Sequence, residues 1–108
     1  MYSDKWMNDP SIHKSSALYL TDNISLRYWQ TENNQILGVC VDFDYADDFH
    51  YEFLKENWDF FLQNILHIDP NTDYLPLLKT YFQKTAAHLD FMTAVDEHRI
   101  EHRKVAFY

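Results

Sequence analysis

Short runs of alternating apolar and polar residues, separated by turn-forming residues, fill the first half of the chain. Residues 24–30 alternate as in a strand with one solvated face, residues 36–43 are more continuously apolar, and residues 17–20 form a shorter apolar run. The Thr, Asp and Asn residues between these runs are typical of turns. The pattern predicts a three-stranded antiparallel meander over about residues 16–43.

The period of the apolar pattern changes after residue 48. Apolar residues then recur three to five positions apart, which predicts an amphipathic helix over about residues 48–66, begun by Asp47 and Asp48. Turn residues around Pro70 end this helix, and a second helix is predicted over about residues 73–95. The expected apolar stripes are Phe49, Phe53, Leu54, Trp58, Phe61 and Ile65 in the first helix and Leu75, Leu78, Phe82, Ala86, Leu89 and Met92 in the second.

The two ends of the chain have less regular patterns. Residues 1–12 are polar with isolated aromatic residues and contain Pro10, which favours an irregular N-terminal arm. The segment from residue 91 onwards either stays helical to Arg103 or ends in a short strand over residues 105–108. Since 108 residues is the size of one domain, residues 1–108 are expected to fold as a single α+β domain.

The composition adds a strong negative charge. Seventeen acidic residues against nine lysines and arginines give a formal net charge of −8. Such a surface repels phosphate groups, so binding to nucleic acid or to an anionic membrane is not expected. No apolar run has the length of a membrane span or a signal sequence, and the one cysteine, Cys40, lies in an apolar run where a buried thiol is usual. These features predict a cytoplasmic protein.

The negative charge is concentrated between Asp42 and Asp59. This segment holds seven acidic residues against one lysine, with aromatic residues interleaved. Closely spaced like charges repel each other, which favours a binding role, although a solvated helix face has the same composition. Aromatic anchors among acids are typical of an interface with a basic protein. The predicted partner-binding residues are Asp42, Asp44, Tyr45, Asp47, Asp48, Tyr51, Glu52 and Glu56, with both tyrosines expected to be exposed.

The leading functional hypothesis is therefore a small acidic binding protein that docks onto a basic protein and inhibits it. Toxin-immunity proteins of bacteria and nuclease inhibitors work in this way as a functional class. No enzymatic activity, catalytic residue, cofactor or bound metal is predicted on this hypothesis. A homo-oligomeric regulatory domain, such as a homodimer whose aromatic patches pair with themselves, is a second hypothesis.

A third hypothesis, a metal-dependent hydrolase, is based on the sequence His98-Arg-Ile-Glu101-His102. This sequence resembles the His-x-x-Glu-His motif of the inverzincin metalloproteases, in which two histidines one helical turn apart share a zinc ion and the glutamate activates water. That family needs a further carboxylate ligand well downstream, whereas only six residues follow His102. An exposed helix face with paired charges is the competing interpretation.

Overall fold

A computed structural model describes residues 6–44 and 49–106, which form an antiparallel sheet and three helices. The predicted α+β class is confirmed. The strands are β1 (Ile12–Lys14), β2 (Leu18–Tyr19), β3 (Ile24–Thr31), β4 (Ile36–Phe43), β5 (Phe49–Leu54) and β6 (Arg103–Ala106). The helices are α1 (Lys55–Phe60), which continues into a π-helical segment (Phe61–Ile65), α2 (Leu75–Phe82) and α3 (Ala87–Glu97).

The sheet has the strand order β1-β3-β4-β5-β6, and β2 pairs with the same edge of β3 as β1 does. The predicted meander is present as β2–β3–β4, since both β2 and β4 pair antiparallel with β3. The described residues nevertheless contain six strands, where three were expected, because β1, β5 and β6 extend the sheet. The alternative of a C-terminal strand is confirmed, and this strand begins at Arg103.

The helix predicted over residues 48–66 is wrong in its first part, because residues 49–54 form strand β5. Phe49, Tyr51 and Phe53 are spaced two apart, and all three pack in or against the main core. His50 and Glu52 alternate with them, which is the period of a strand. Since Phe49 and Phe53 are also four apart, the same residues fit a helical stripe, and pairing with β4 decides for the strand.

The helix predicted over residues 73–95 is two helices, α2 and α3, separated by residues 83–86, of which Ala86 has the left-handed conformation with φ of 60°. Phe82 and Phe91 are both buried in the main core. In one continuous helix these two residues would lie about 180° apart around the axis, because each residue turns the helix by about 100°. The break therefore allows each helix to turn its own apolar residues toward the sheet.

The main core lies between one face of the sheet and the helices. Val39, Val41 and Phe53 contribute from the strands, and Trp58 and Phe91 contribute from the helices. All five side chains are fully buried, so this face of the sheet provides most of the apolar burial that stabilises the fold. No helix within residues 6–44 and 49–106 has both the length and the apolar character that crossing a membrane would require.

A smaller cluster covers part of the opposite face of the sheet. Trp6 packs against Trp29, with ring centroids 5.8 Å apart, and both are buried together with Cys40. The ring of Trp6 lies above Gly38, in the space that a side chain there would occupy. The segment predicted as an irregular arm over residues 1–12 thus has a buried anchor at Trp6, and its last residue, Ile12, begins strand β1.

Candidate functional site

Polar side chains gather on the sheet face opposite the helices. On β4 the residues Cys40 and Asp42 alternate with core residues, and on β5 His50 and Glu52 do the same. The antiparallel register pairs Cys40 with Glu52 and Asp42 with His50. Residues that are directly paired in a sheet project from the same face, so the four side chains form one group between two neighbouring strands.

His50 is the centre of this group. Its Nε2 lies 3.0 Å from Oε1 of Glu52, and its Nδ1 lies 3.4 Å from Oδ1 of Asp42. Nε of Arg27, on the neighbouring strand β3, lies 3.7 Å from Oδ2 of Asp42. His50 and Glu52 are buried, whereas Asp42 and Arg27 are partly exposed. The arrangement leads from a buried His–Glu pair to an Asp–Arg pair at the surface.

Cys40 completes the buried part of the group. One donor atom from each of Cys40, His50 and Glu52 lies within 4.8 Å of the other two. Burial raises the pKa of the Cys40 thiol to about 12, although the charge of Lys14 acts in the opposite direction. A fully buried, protonated thiol is a poor nucleophile, because the thiolate is the reactive form. The group therefore does not have the features of a cysteine-dependent active site.

A shallow depression of about 430 Å³ opens beside Asp42 on the same face. Its lining carries both signs of charge, from Lys14 and Arg27 on one hand and from Asp42 and Asp44 on the other, and Phe49 adds an apolar wall. Its mixed lining suits contact with polar and charged groups of another molecule better than enclosure of an apolar ligand.

Two of the predicted partner-binding residues are buried rather than exposed. Tyr51 retains 3% of its accessible surface and Glu52 retains 2%. The expected exposure of Tyr51 is wrong because β5 is a strand, in which Tyr51 shares the core face with Phe53. Burial raises the pKa of Tyr51, and its ring stacks on His102 with centroids 4.8 Å apart. Glu52 faces the other side and is held by His50.

The remaining predicted residues lie at different places. Asp44 and Glu56 are exposed, and Asp42 is partly exposed. Glu56 follows β5, whereas Asp44 precedes it, so the length of this six-residue strand, about 20 Å, separates them. The residues Tyr45, Asp47 and Asp48 lie outside the described residues. The acids of this segment that the structure describes therefore do not form one continuous surface.

Asp44 instead lies near a different acidic residue, Asp22. The backbone N–H of Asp44 donates a hydrogen bond of 2.7 Å to the carbonyl oxygen of Asn23, the neighbour of Asp22. Both aspartates are exposed, at the end of the sheet where Phe43 of β4 pairs with Phe49 of β5. We call Asp22 and Asp44 the acidic sheet end.

The residues of the alternative zinc motif, 98–102, do not form a helix. Helix α3 ends at Glu97, Arg99 has a φ of 52°, and Nδ1 of His102 lies 2.8 Å from the carbonyl oxygen of Ile100. In the part of the chain that the structure describes, the one group of three donors close enough to share an ion is Cys40, His50 and Glu52. The hydrolase hypothesis based on His98, Glu101 and His102 therefore loses its geometric basis.

The sequence contains a signal for the Cys40–His50–Glu52 group that the helical interpretation of residue 50 obscures. Cys40-x-Asp42 lies in one strand and His50-x-Glu52 lies in the next, so each pair projects from a single face. Recognising these pairs requires knowing that residue 50 is in a strand that pairs with β4.

Comparison with known proteins identifies no matching family model, no significantly similar curated protein and no significantly similar solved structure.

Proposed function

We propose that this chain is a small acidic binding protein that docks onto a basic protein partner and inhibits it. Docking takes place at the acidic sheet end, together with Asp47 and Asp48 of the connection that joins β4 to β5. The observation that carries this proposal is the backbone hydrogen bond from Asp44 to Asn23, because it brings the backbone of two exposed aspartates, Asp22 and Asp44, to the same end of the sheet.

The acids of the chain differ in what their charges contact. Asp42 lies beside Arg27 and His50, Glu52 binds His50, and Asp59 pairs with Lys55. These three carboxylates are engaged within the protein. By contrast, no lysine, arginine or histidine among residues 6–44 and 49–106 forms an ion pair with the acidic sheet end. Its charges are thus available to a partner.

Such a surface favours a basic partner for an electrostatic reason. Exposed negative charges at one place make the local electrostatic potential more negative, which accelerates the encounter with a basic protein and discriminates against acidic ones. In the sequence, the connection between β4 and β5 contains two further acids, Asp47 and Asp48. It also contains Tyr45, an aromatic residue of the kind that anchors interfaces.

Inhibition follows if the partner uses its basic surface to hold a polyanion. A nuclease binds the phosphate backbone through clustered lysines and arginines, so an acidic protein on those residues excludes the substrate. We therefore place the chain in the functional class of nuclease inhibitors and toxin-immunity proteins, acting in the cytoplasm of a bacterium and without catalytic activity of its own.

The experiment compares three forms of the tagged chain as bait in a native lysate, at low and high salt. The first is the wild type and the second is Asp44→Asn, Asp47→Asn, Asp48→Asn. The third, Asp73→Asn, Asp90→Asn, Asp96→Asn, is a matched control that removes the same charge from exposed positions elsewhere. Captured proteins are identified by mass spectrometry, and each purified candidate is then assayed for inhibition.

We expect the wild type and the control to retain the same basic protein at low salt, in near-equal amount, and the Asp44 variant to lose it. High salt should release it from the wild type and the control, because screening weakens contacts between exposed charges. Equal capture by all three forms, or capture of an acidic protein, would contradict docking at this end. Capture of a basic protein that is not inhibited would support docking at this end and would contradict the assignment to the inhibitor class.

A further inference from the structure

The buried group of Cys40, His50 and Glu52 presents three different metal-ligand atoms to one point. A thiol sulfur, an imidazole nitrogen and a carboxylate oxygen lie within 4.8 Å of one another, on the sheet face opposite α1, α2 and α3. The cross-strand pair Cys40–Glu52 and the two-residue step from His50 to Glu52 fix this convergence in the backbone. Donors held on two paired strands are more rigidly placed than donors on a loop.

The spacing of the donors suits a tetrahedral ion. With ordinary zinc–sulfur, zinc–nitrogen and zinc–oxygen bond lengths, neighbouring ligand atoms lie about 3.3 to 3.7 Å apart. Nε2 of His50 and Oε1 of Glu52 are 3.0 Å apart, slightly closer than this, and the 4.8 Å limit on the group is slightly wider. An ion therefore requires shifts of at most about 1 Å from the three side chains.

Asp42 lies beside the ring nitrogen of His50 that is not next to Glu52. Nε2 of His50 lies 3.0 Å from Oε1 of Glu52, while Oδ1 of Asp42 lies 3.4 Å from Nδ1. A carboxylate beside the distant nitrogen of a ligating imidazole fixes the tautomer and raises the basicity of the ligand. Asp42 is partly exposed and borders the depression described above.

The donor set selects the class of ion. A thiolate and an imidazole favour zinc and its neighbours in the first transition row, whereas magnesium and calcium prefer oxygen donors alone. One thiolate and one carboxylate together neutralise a divalent charge, which makes the ion acceptable in a buried place. In the pairing of β5 with β6, Arg103 is the direct cross-strand neighbour of Glu52, so a positively charged residue stands next to this ligand in the sheet.

We propose that Cys40, His50 and Glu52 bind one divalent first-row transition-metal ion, of which zinc fits best, with Asp42 orienting His50. These three side chains fill three of the four positions of a tetrahedral ion, and another ligand takes the fourth. The ion joins β4 to β5 across the face opposite the helices. This site is independent of the proposed docking function, because no residue of the acidic sheet end is a ligand.

The experiment titrates the full chain, freed of metal by a chelator, with Co²⁺ and reads its absorption spectrum. Tetrahedral Co²⁺ gives intense visible bands, and a thiolate ligand adds a near-ultraviolet charge-transfer band. Because the chain has a single cysteine, that band identifies Cys40 without ambiguity. The same titration is run on Cys40→Ser, His50→Ala, Glu52→Gln and Asp42→Asn, and on His98→Ala, which removes an exposed histidine outside the group.

The wild type and His98→Ala are expected to bind one Co²⁺ with both sets of bands, and added Zn²⁺ should remove them. Cys40→Ser should lose the charge-transfer band, and His50→Ala and Glu52→Gln should lose stoichiometric binding. Asp42→Asn, which removes an outer-sphere carboxylate, should weaken binding about 10- to 100-fold.

Two results would overturn the proposal. One is a folded wild-type protein, checked by circular dichroism, that gives no thiolate band at a large excess of Co²⁺. The other is one-to-one binding that survives both His50→Ala and Glu52→Gln, which would locate the ion elsewhere. Should a variant fail to fold, the wild-type titration still decides, since its thiolate band depends on Cys40 alone.

Discussion

His50 Nε2 lies 3.0 Å from Oε1 of Glu52, two residues along the same strand, and both side chains are buried on the sheet face opposite α1, α2 and α3. Glu52 is thus a structural residue, although its position in an acidic segment suggested a surface role. Removing either side chain leaves the polar group of the other buried without this partner. The free-energy cost of that change is larger than the net stabilisation that an average hydrogen bond provides.

Glu52→Ala is expected to lower the free energy of unfolding of the metal-free protein by about 2 to 3 kcal/mol, because the imidazole of His50 loses its carboxylate in a buried place. Glu56→Ala is the matched control, since Glu56 is exposed four residues later, and it should change stability by about 0.5 kcal/mol or less. Urea unfolding followed by circular dichroism measures both values. Equal, small effects would show that the His50–Glu52 contact does not contribute to stability.

Gly38→Ala tests the contact between the N-terminal segment and the sheet. An added Cβ would overlap the ring of Trp6 and would lie 2.9 Å from the carbonyl oxygen of Phe53. We expect a destabilisation of about 1 to 3 kcal/mol together with a change in tryptophan fluorescence, because Trp6, which packs against Trp29, must move away from Gly38.

The double variant Trp6→Ala, Gly38→Ala is the control for this effect. With the ring removed, the two closest overlaps of the added methyl group disappear and the contact with the carbonyl oxygen of Phe53 remains, so Gly38→Ala should cost less in that background than in the wild type. An equal cost in both backgrounds would contradict the packing of Trp6 over Gly38.

Tyr28 makes the stability of the fold depend on pH in the alkaline range. Burial, and then the hydrogen bond between its hydroxyl and that of Tyr74 at 2.6 Å, raise the pKa of Tyr28 above its ordinary value of 10.0. Above about pH 10 the unfolded chain releases this proton while the folded chain keeps it, so the unfolded state binds fewer protons and stability falls as pH rises.

Tyr28→Phe should therefore flatten the decline in unfolding free energy between about pH 9 and pH 11, with the remainder due to other groups. Tyr19→Phe, at a position 66% exposed, should leave the decline unchanged. Urea titrations at several pH values measure the slope. An identical slope for the wild type and Tyr28→Phe would mean that the Tyr28 hydroxyl ionises equally in both states.

The sequence predicts the paired strands better than it predicts the helices. Alternation over residues 24–30 and the apolar run over residues 36–43 correspond to β3 and β4, because one-sided and central strands each leave a local pattern. Residues 49–54 satisfy two periods at once, so the neighbouring strand decides their conformation. The break at Ala86 is also not visible locally, since an alanine with positive φ carries no sequence signal.

The candidate sites show the same limit. The error for Tyr51 follows from the error for its strand, because a change of period moves a side chain from the surface into the core. The association of Asp22 with Asp44 depends on a hydrogen bond between residues twenty-one positions apart, which no local pattern records. The Cys40–His50–Glu52 group likewise requires the register of β4 with β5.

The most direct test of docking at the acidic sheet end is the association rate constant with the captured basic partner, measured at several salt concentrations by surface-based kinetics. We predict that the rate constant falls as salt rises, and that Asp44→Asn, Asp47→Asn, Asp48→Asn lowers it at low salt while the folded structure is retained. The variant with Asp73, Asp90 and Asp96 neutralised should associate more nearly like the wild type. An unchanged low-salt rate constant in the Asp44 variant would contradict the account.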